Sequence, residues 1–169
     1  MEESVELKGV KEIKCSMEDL EKYAPWFVER VKGGSIVVED AVVGIELGKF
    51  IWYSGTWIEG LWENGIWKGG IWEYGFWKGG IWEYGFWKGG TWLDGTWKGG
   101  VWEYGFWKGG TWYNGTWENG VWYNGTWKSG TWLDGYWEKG AWENGIWKGG
   151  NDIYGLFHTD PPSTWKTEV

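Results

Sequence analysis

The chain has 169 residues, of which 22 are Trp and 32 are Gly, and its formal net charge is −8. An aromatic content of 22% excludes disorder, because disordered segments lack aromatics, and 3 prolines are too few for collagen. No segment forms a basic patch, so we expect no direct contact with nucleic acid. No apolar run approaches the roughly 20 residues of a membrane span, so we expect no membrane insertion.

Residues 1–34 are predicted to form an N-terminal cap with one helix. Ser16 has the residue type of an N-cap, and Asp19 stands at the third helical position. Apolar side chains then recur at helical spacing, Gly33-Gly34 marks the helix end, and Pro25 predicts a kink. Val5-Glu6-Leu7 and Ile13 indicate a short strand before the helix. The alternative to a cap is a small partner-docking module.

A five-residue repeat fills the middle of the chain. Trp recurs at every fifth residue from Trp52 to Trp147, and Gly at every fifth residue from Gly55 to Gly155. The unit is Gly-x-Trp-x-x, as in GIWKG, GFWKG and GTWYN. Val37, Val42 and Leu47 continue the Trp position upstream and Phe157 continues it downstream, so the solenoid is predicted over residues 35–158 with weaker terminal units. Residues 159–169, after Asp160-Pro161-Pro162, are a tail or a lid in which Trp165 folds back.

The five-residue period determines the path that the backbone can take. An uninterrupted strand would send successive Trp to opposite faces because five is odd, so the chain must bend once per unit. A meander of tiny hairpins fails because consecutive turns need hydrogen-bonding groups on alternate sides, whereas a β-solenoid pairs each strand with the coils above and below. The residue after Trp is often Lys or Glu, which a lumen cannot hold unpaired, so Trp faces inward. The twenty tryptophans assigned to the core are Trp52, Trp57, Trp62, Trp67, Trp72, Trp77, Trp82, Trp87, Trp92, Trp97, Trp102, Trp107, Trp112, Trp117, Trp122, Trp127, Trp132, Trp137, Trp142 and Trp147.

Column consistency favours four units per coil, hence 20 residues, because the units at 66, 86, 106 and 146 all read WKGG after their first residue. The pattern then resembles the pentapeptide-repeat proteins, with Gly at that family's small inward position and Trp at its large one. The resemblance implies a right-handed square β-solenoid, so we expect an all-β fold that carries the small α/β cap of residues 1–34 at its N-terminal end. Choline- and glucan-binding repeats and MORN repeats are more distantly similar.

A 20-residue coil would stack two apolar faces, one of Leu61, Ile81, Val101 and Val121 and one of Ile66, Phe86, Phe106 and Ile146. A long exposed apolar patch usually marks an interface. We therefore predict self-association through these faces, with columns of Glu set against columns of Lys. The alternative is that these residues are only good strand formers on a wet face. The predicted interface residues are Leu61, Ile66, Ile81, Phe86, Val101, Phe106, Val121, Ile146, Glu83, Lys88, Glu103 and Lys108.

The residues indicate a non-enzymatic structural or assembly protein, a rigid Trp-cored rod that self-associates or scaffolds partners, as in a virion or filament. His158 and Cys15 are the sole residues of their types, so neither a metal-ligand cluster nor a cofactor site is expected. Two alternatives stay open. One is a protein-binding module with a gyrase-type partner, which the resemblance implies, and the other is a glycan or choline binder that uses exposed Trp. The absence of a secretory signal makes a cytoplasmic location the default, with virion or cell-surface assembly open.

Overall fold

The repeat unit forms one short strand and one bend. The computed structural model describes residues 7–165, and within it each unit contributes a two-residue strand made of Trp and the residue before it. The strands β4–β21 are Leu61–Trp62, Ile66–Trp67, Ile71–Trp72, Phe76–Trp77, Ile81–Trp82, Phe86–Trp87, Thr91–Trp92, Thr96–Trp97, Val101–Trp102, Phe106–Trp107, Thr111–Trp112, Thr116–Trp117, Val121–Trp122, Thr126–Trp127, Thr131–Trp132, Tyr136–Trp137, Ala141–Trp142 and Ile146–Trp147.

Each coil contains three units, and the strands stack in parallel. Trp52 pairs with Trp67 and Trp67 with Trp82, so the register advances by fifteen residues per coil. The prediction of a β-solenoid is confirmed, but the prediction of a square coil of 20 residues is wrong. The cross-section is triangular, and the chain makes about seven turns. Identity between units twenty residues apart does not reveal the coil length, because that length also decides which charged residues lie side by side.

We name the three sides by their strands. Side A begins at Ile51-Trp52 and continues every fifteen residues to Ala141–Trp142. Side B runs likewise from Thr56-Trp57 to Ile146–Trp147, and side C from Leu61–Trp62 to Gly150–Asn151, which is β22. Sides A and B form one 15-stranded sheet because strand β3, Lys49–Glu59, starts both of them, and side C forms a sheet of 8 strands.

Backbone hydrogen bonds hold each coil to the next. The Trp carbonyl accepts from the N–H sixteen residues later, as in Lys68 to Trp52 at 2.8 Å, and the Gly carbonyl accepts likewise, as in Ile81 to Gly65 at 3.0 Å. This ladder repeats from the first coil to the last. The coils therefore sit at the roughly 4.8 Å spacing of neighbouring β-strands.

The structure places all twenty predicted indoles inside, with exposed fractions between 0% and 8%. Rings on consecutive coils are parallel, with centroids 4.6–5.0 Å apart and interplanar angles of 5–9°. Rings on adjacent sides meet edge to face at 5.5–6.0 Å. Both are favourable aromatic geometries, so three continuous stacks that brace one another fill the lumen.

The period-five glycines are fixed by conformation and by space. Gly90 has φ of +106°, which L-residues rarely adopt, and a Cβ at this position would overlap the carbonyl oxygen of Gly75 on the preceding coil. The same overlap recurs down each corner. The space that Gly leaves is therefore taken mainly by the backbone of the neighbouring coil, with an indole Nε1 behind it at many of the corners.

The N-terminal segment covers the first coil. Strand β1, Val10–Ile13, pairs in parallel with β2, Val37–Glu46, which runs antiparallel to β3 along the start of sides A and B. Two helices, Met17–Tyr23 and Pro25–Gly33, replace the single predicted helix, because Pro25 begins a second one. Trp26 and Phe50 pack on Trp62 and cover side C. The Ser16 hydroxyl accepts from the Asp19 N–H, as predicted, and Gly34 ends the second helix with φ of +82°.

Residues 37–48 are not solenoid units, although Val37, Val42 and Leu47 keep the phase of five. Val37 and Val42 lie in the antiparallel strand β2, and Leu47 lies fully exposed in the turn that follows it. The predicted start of the solenoid at residue 35 is therefore replaced by a hairpin. Of the predicted first strand, Val5 and Glu6 lie outside the described residues, and Ile13 ends β1.

The C-terminal end is closed by a second antiparallel turn. Strand β23, Phe157–His158, folds back on β22, and Phe157 is 62% exposed, so its predicted place at an inward Trp position is wrong. The Asp152 carboxylate accepts from His158 at 2.7 Å and from the N–H groups of Tyr154 and Leu156. After the 3-10 turn Pro162–Thr164, Trp165 stacks on His158 and packs edge-on against Trp147, as expected of a lid.

Replacing Gly90 with Ala should destabilise the fold by roughly 2–5 kcal/mol, because it combines an unfavourable φ with a backbone overlap. Gly79 is the matched control, since no neighbouring atom lies within 4 Å of the position that a Cβ would occupy there. The Gly79→Ala variant should stay within about 0.5 kcal/mol of the parent. Urea unfolding followed by Trp fluorescence measures both. Equal effects of the two substitutions would contradict the close coil contact.

Acid should loosen the C-terminal hairpin. Burial raises the pKa of Asp152, but the hydrogen bonds from His158, Leu156 and Tyr154 outweigh it and hold the pKa below its ordinary value. The stabilisation is therefore present above the ordinary Asp pKa of about 4 and is lost as the pH falls through the lower folded value. Hydrogen exchange at residues 150–158 should accelerate in that range, corrected for its intrinsic pH dependence. Asp152→Asn should remove this component, and a hairpin whose protection is unchanged by acid would contradict the assignment.

Candidate interaction surface

Each side of the solenoid presents two outward rows. One row holds the residues that precede Trp, and the other holds the residues that follow Trp. The first row is mostly apolar or Thr, and the second is mostly Lys, Glu and Tyr. The function of this molecule must therefore be sought in these rows, at the corners between sides, and in the two ends.

The fifteen-residue coil distributes the predicted interface over all three sides. Ile66, Ile81 and Glu83 lie on side A, and Leu61, Phe106, Val121 and Lys108 lie on side C. Phe86, Val101, Ile146, Lys88 and Glu103 lie on side B. The two continuous apolar faces are consequently not formed. Three pairs of predicted interface residues remain direct neighbours: Ile66 with Ile81, Phe86 with Val101, and Phe106 with Val121.

Charges alternate over the first coils of each side, and Glu103 next to Glu118 on side B departs from this pattern. Lys and Glu alternate from unit to unit in much of the repeat, so the pattern repeats every ten residues. A coil of fifteen residues contains three units, an odd number, so a Glu on one coil lies next to a Lys on the next. On side A the order is Lys68, Glu83, Lys98. The predicted columns of Glu against columns of Lys are therefore wrong. Alternation lowers the electrostatic energy, since like charges directly opposite each other in a sheet are destabilising.

Direct contacts follow this spacing of fifteen. The ammonium of Lys128 lies 3.6 Å from the Glu143 carboxylate, and that of Lys108 lies 4.4 Å from the centre of the Tyr123 ring. At the start of side A, the Lys68 ammonium lies over the ring of Tyr53 on the preceding coil and near the Glu46 carboxylate of strand β2. Burial, followed by the hydrogen bond with Glu46, raises the pKa of Tyr53 to about 12. These contacts stabilise the coil stack within one molecule.

Three exposed tyrosines stand at corners of the coils. Tyr74, Tyr84 and Tyr104 are 58%, 62% and 54% exposed. Each stands where other coils have Gly, and the ring of Tyr74 leans toward Gly89 on the next coil. The sequence pattern identifies them only as turn residues, so their place on the surface was missed. The sequence does contain a pattern that could have identified them, because Tyr and Gly alternate from unit to unit at this position between residues 69 and 109, with Asp94 as the exception.

The indole N–H groups divide by corner type. Eight of the twenty donate to a backbone carbonyl, as Trp62 does to Gly79 at 3.1 Å, while ten are buried with no acceptor in residues 7–165. Where the corner is Tyr, the indole below it is unpaired, as Trp57 is below Tyr74. Most Gly corners accept an indole N–H, but Gly69 does not accept from Trp52, and the carbonyls of Asn114 and Lys139 accept from Trp97 and Trp122.

The remaining reactive side chains are separated. Cys15 belongs to the N-terminal cap, where burial raises the pKa of its thiol, and His158 belongs to the C-terminal hairpin at the other end of the solenoid. Within residues 7–165 no group of three His, Cys, Asp or Glu side chains is placed to hold a metal ion.

Comparison with models of protein families, with curated proteins and with solved structures finds no match. No helix of the described residues is both long and apolar enough to cross a membrane. The five-residue repeat and the parallel β-solenoid therefore stand on the structure alone.

The charge register gives a test that separates the two coil lengths. Glu83→Lys would place three Lys in succession on side A and should destabilise the fold by about 0.5–1 kcal/mol at low salt, less at high salt. In a 20-residue coil the neighbours would be Glu63 and Glu103, and the same change would stabilise. Urea unfolding at two salt concentrations decides the sign, with Glu83→Gln as the neutral control.

Proposed function

We propose that this chain is a non-enzymatic structural subunit, a stiff Trp-cored block that associates with copies of itself and scaffolds partners. The observation that carries the proposal is that every repeat unit contributes its Trp to one continuous aromatic core. All twenty indoles are buried and stack from coil to coil, and the rows outside carry the variation. Such a core supports rigidity and a regular surface.

The shape limits how copies can associate. Seven coils at about 4.8 Å give a solenoid about 34 Å long, so one chain is a short triangular prism and not a long rod. Strand β2 and the helices cover the first coil, and residues 150–165 cover much of the last. Covered strand edges oppose end-to-end pairing. Association through the sides is therefore the form of assembly that we propose.

The alternatives receive less support. A glycan or choline site would need exposed solenoid Trp rings, and all twenty of these rings are buried. A DNA-like partner of gyrase needs a continuous acidic face, and the alternating charges of each side do not supply one. The three-unit coil also departs from the four-unit coil of the pentapeptide-repeat proteins, so we carry over no partner from that resemblance.

Sedimentation over a wide concentration range, combined with negative-stain microscopy, tests the proposal. We expect a reversible increase in mass with concentration, because exposed side rows contribute contact area only when copies meet. The far-UV spectrum should not change with concentration, since the coils are complete in one chain. A species that stays monomeric at every concentration, in the presence of salt and at neutral pH, would contradict self-association.

A further inference from the structure

Among the described coils, side B is the one side that has corner tyrosines on both of its edges. We name the corners between sides A and B the AB edge, and those between sides B and C the BC edge. Tyr84 stands on the AB edge, and Tyr74 and Tyr104 stand on the BC edge. In the solenoid coils the third edge, between sides C and A, carries no Tyr; its corner residues are Asn64, Gly79, Asp94, Gly109, Asn124 and Lys139. Side B is thus framed by exposed aromatic rings, and the others are not.

The two edges of side B are complementary in shape. Along the BC edge a Tyr, a Gly and a Tyr follow one another at residues 74, 89 and 104. Along the AB edge the order at the same levels is Gly69, Tyr84, Gly99. One edge therefore has a projecting ring where the other has a notch, with an axial offset of one third of a coil, about 1.6 Å.

The notches are open at the surface. A Cβ built on Gly89 would meet the Glu73 carbonyl oxygen at 3.5 Å and the Tyr74 ring at 3.8 Å, which are ordinary contacts, and the Gly69 position is similarly free. These positions therefore tolerate a side chain. Tyr74 and Tyr104 stand two coils apart, about 9.6 Å, and the Tyr74 ring occupies part of this gap, so a partner ring enters it when Tyr74 turns away from Gly89.

A two-fold axis parallel to the prism matches these features. It turns side B of one copy onto side B of a second copy, keeps the axial level, and sets each AB edge against a BC edge. Every Tyr of the six edge positions then faces a Gly of the other copy. This is an isologous contact, in which the same patch serves both subunits.

The charges beside the edges agree with the same arrangement. Glu73, Lys88 and Glu103 lie on side B next to the BC edge, whereas Lys68, Glu83 and Lys98 lie on side A next to the AB edge. Where a BC edge meets the partner's AB edge, each of these side-B charges has an opposite charge at the same level around the partner's corner, because each Tyr unit carries Glu and each Gly unit carries Lys. Ile71, Phe86 and Val101 lie between the edges, and Phe86 is 45% exposed.

We propose that side B is a dimer interface that binds a second copy of this chain in parallel, with Tyr74, Tyr84 and Tyr104 inserted above Gly69, Gly89 and Gly99 of the partner. This rests on the proposed self-association and names its surface. The side measures about 34 by 16 Å, or about 500 Å² per copy, below the roughly 800 Å² of a standard stable interface. The dimer is therefore reversible and concentration-dependent.

Gly89→Tyr tests the surface. The new ring suits the corner, which holds Tyr in other coils, but it fills a notch and should raise the dimer dissociation constant about tenfold or more, as measured by sedimentation equilibrium. Gly79→Tyr is a matched control. Both glycine carbonyls accept an indole N–H, at 3.2 Å from Trp72 and 3.1 Å from Trp62, and only Gly89 borders side B. Far-UV spectra and urea midpoints confirm that both variants fold.

The outcomes separate this inference from the proposed function. Weakening by Gly89→Tyr with no effect of Gly79→Tyr supports side B. Equal weakening, or weakening by Gly79→Tyr alone, overturns side B and leaves lateral self-association standing. A parent chain that never associates overturns both.

Orientation is tested separately with a nitroxide label at Glu59, an exposed residue at the BC edge of the first coil, in a chain with Cys15→Ser and Glu59→Cys. Parallel copies place both labels at the same axial level, separated mainly by the width of side B, about 16 Å, which pulsed electron resonance measures as a short distance. Antiparallel copies place the labels at opposite ends of the solenoid, about 30 Å apart along its axis. A distance of that length would overturn the parallel arrangement.

Discussion

The spacing between hydrogen-bonded strands sets everything else in this molecule. Parallel strands lie about 4.8 Å apart, and aromatic rings stack favourably at nearly the same centroid distance. An indole at one fixed position of every unit therefore stacks on its counterpart without distorting the backbone ladder. Gly at the corner lets the coils approach that closely, because any side chain there would meet the carbonyl of the coil before. The sequence contains so much Trp and Gly because both conditions recur at every unit.

A second constraint acts outside. Up to about residue 110 the surface alternates with a period of two units, while the coil contains three, so neighbouring coils there present opposite members of the alternation. Lys meets Glu, and Tyr meets Gly, along every edge and side where the alternation is kept. Within one molecule this lowers charge repulsion and gives each corner ring a free neighbour. Between molecules it produces the paired projections and notches of side B.

The sequence predicted the inward Trp, the corner Gly, the β-solenoid, the Ser16 cap and the Trp165 lid, because each depends on a local period or a local residue type. It did not predict the coil length, which depends on contacts between residues fifteen apart, where Glu63 and Lys78 could have indicated the answer. The five-residue spacing of Val37, Val42 and Leu47 also gave a wrong start for the solenoid, because a hairpin that extends along the first coil is compatible with the same spacing. The predicted inward position of Phe157 was wrong for a related reason, because the turn at Asp152 reverses the chain before the Phe157 ring can enter the lumen.

The mismatch between ten and fifteen also governs how such a chain can lengthen. Duplicating one coil of fifteen residues would keep every indole in its stack but would set identical charges and identical corners against each other at the junction. Duplicating five or ten residues would turn everything downstream onto another side. Thirty residues is the smallest insertion that preserves the stacks, the sides and the alternation together. The sequence nevertheless contains an exact ten-residue repeat, IWEYGFWKGG at residues 71–80 and 81–90. A step of ten keeps the stacks and the alternation, and it changes only the side on which each downstream residue lies.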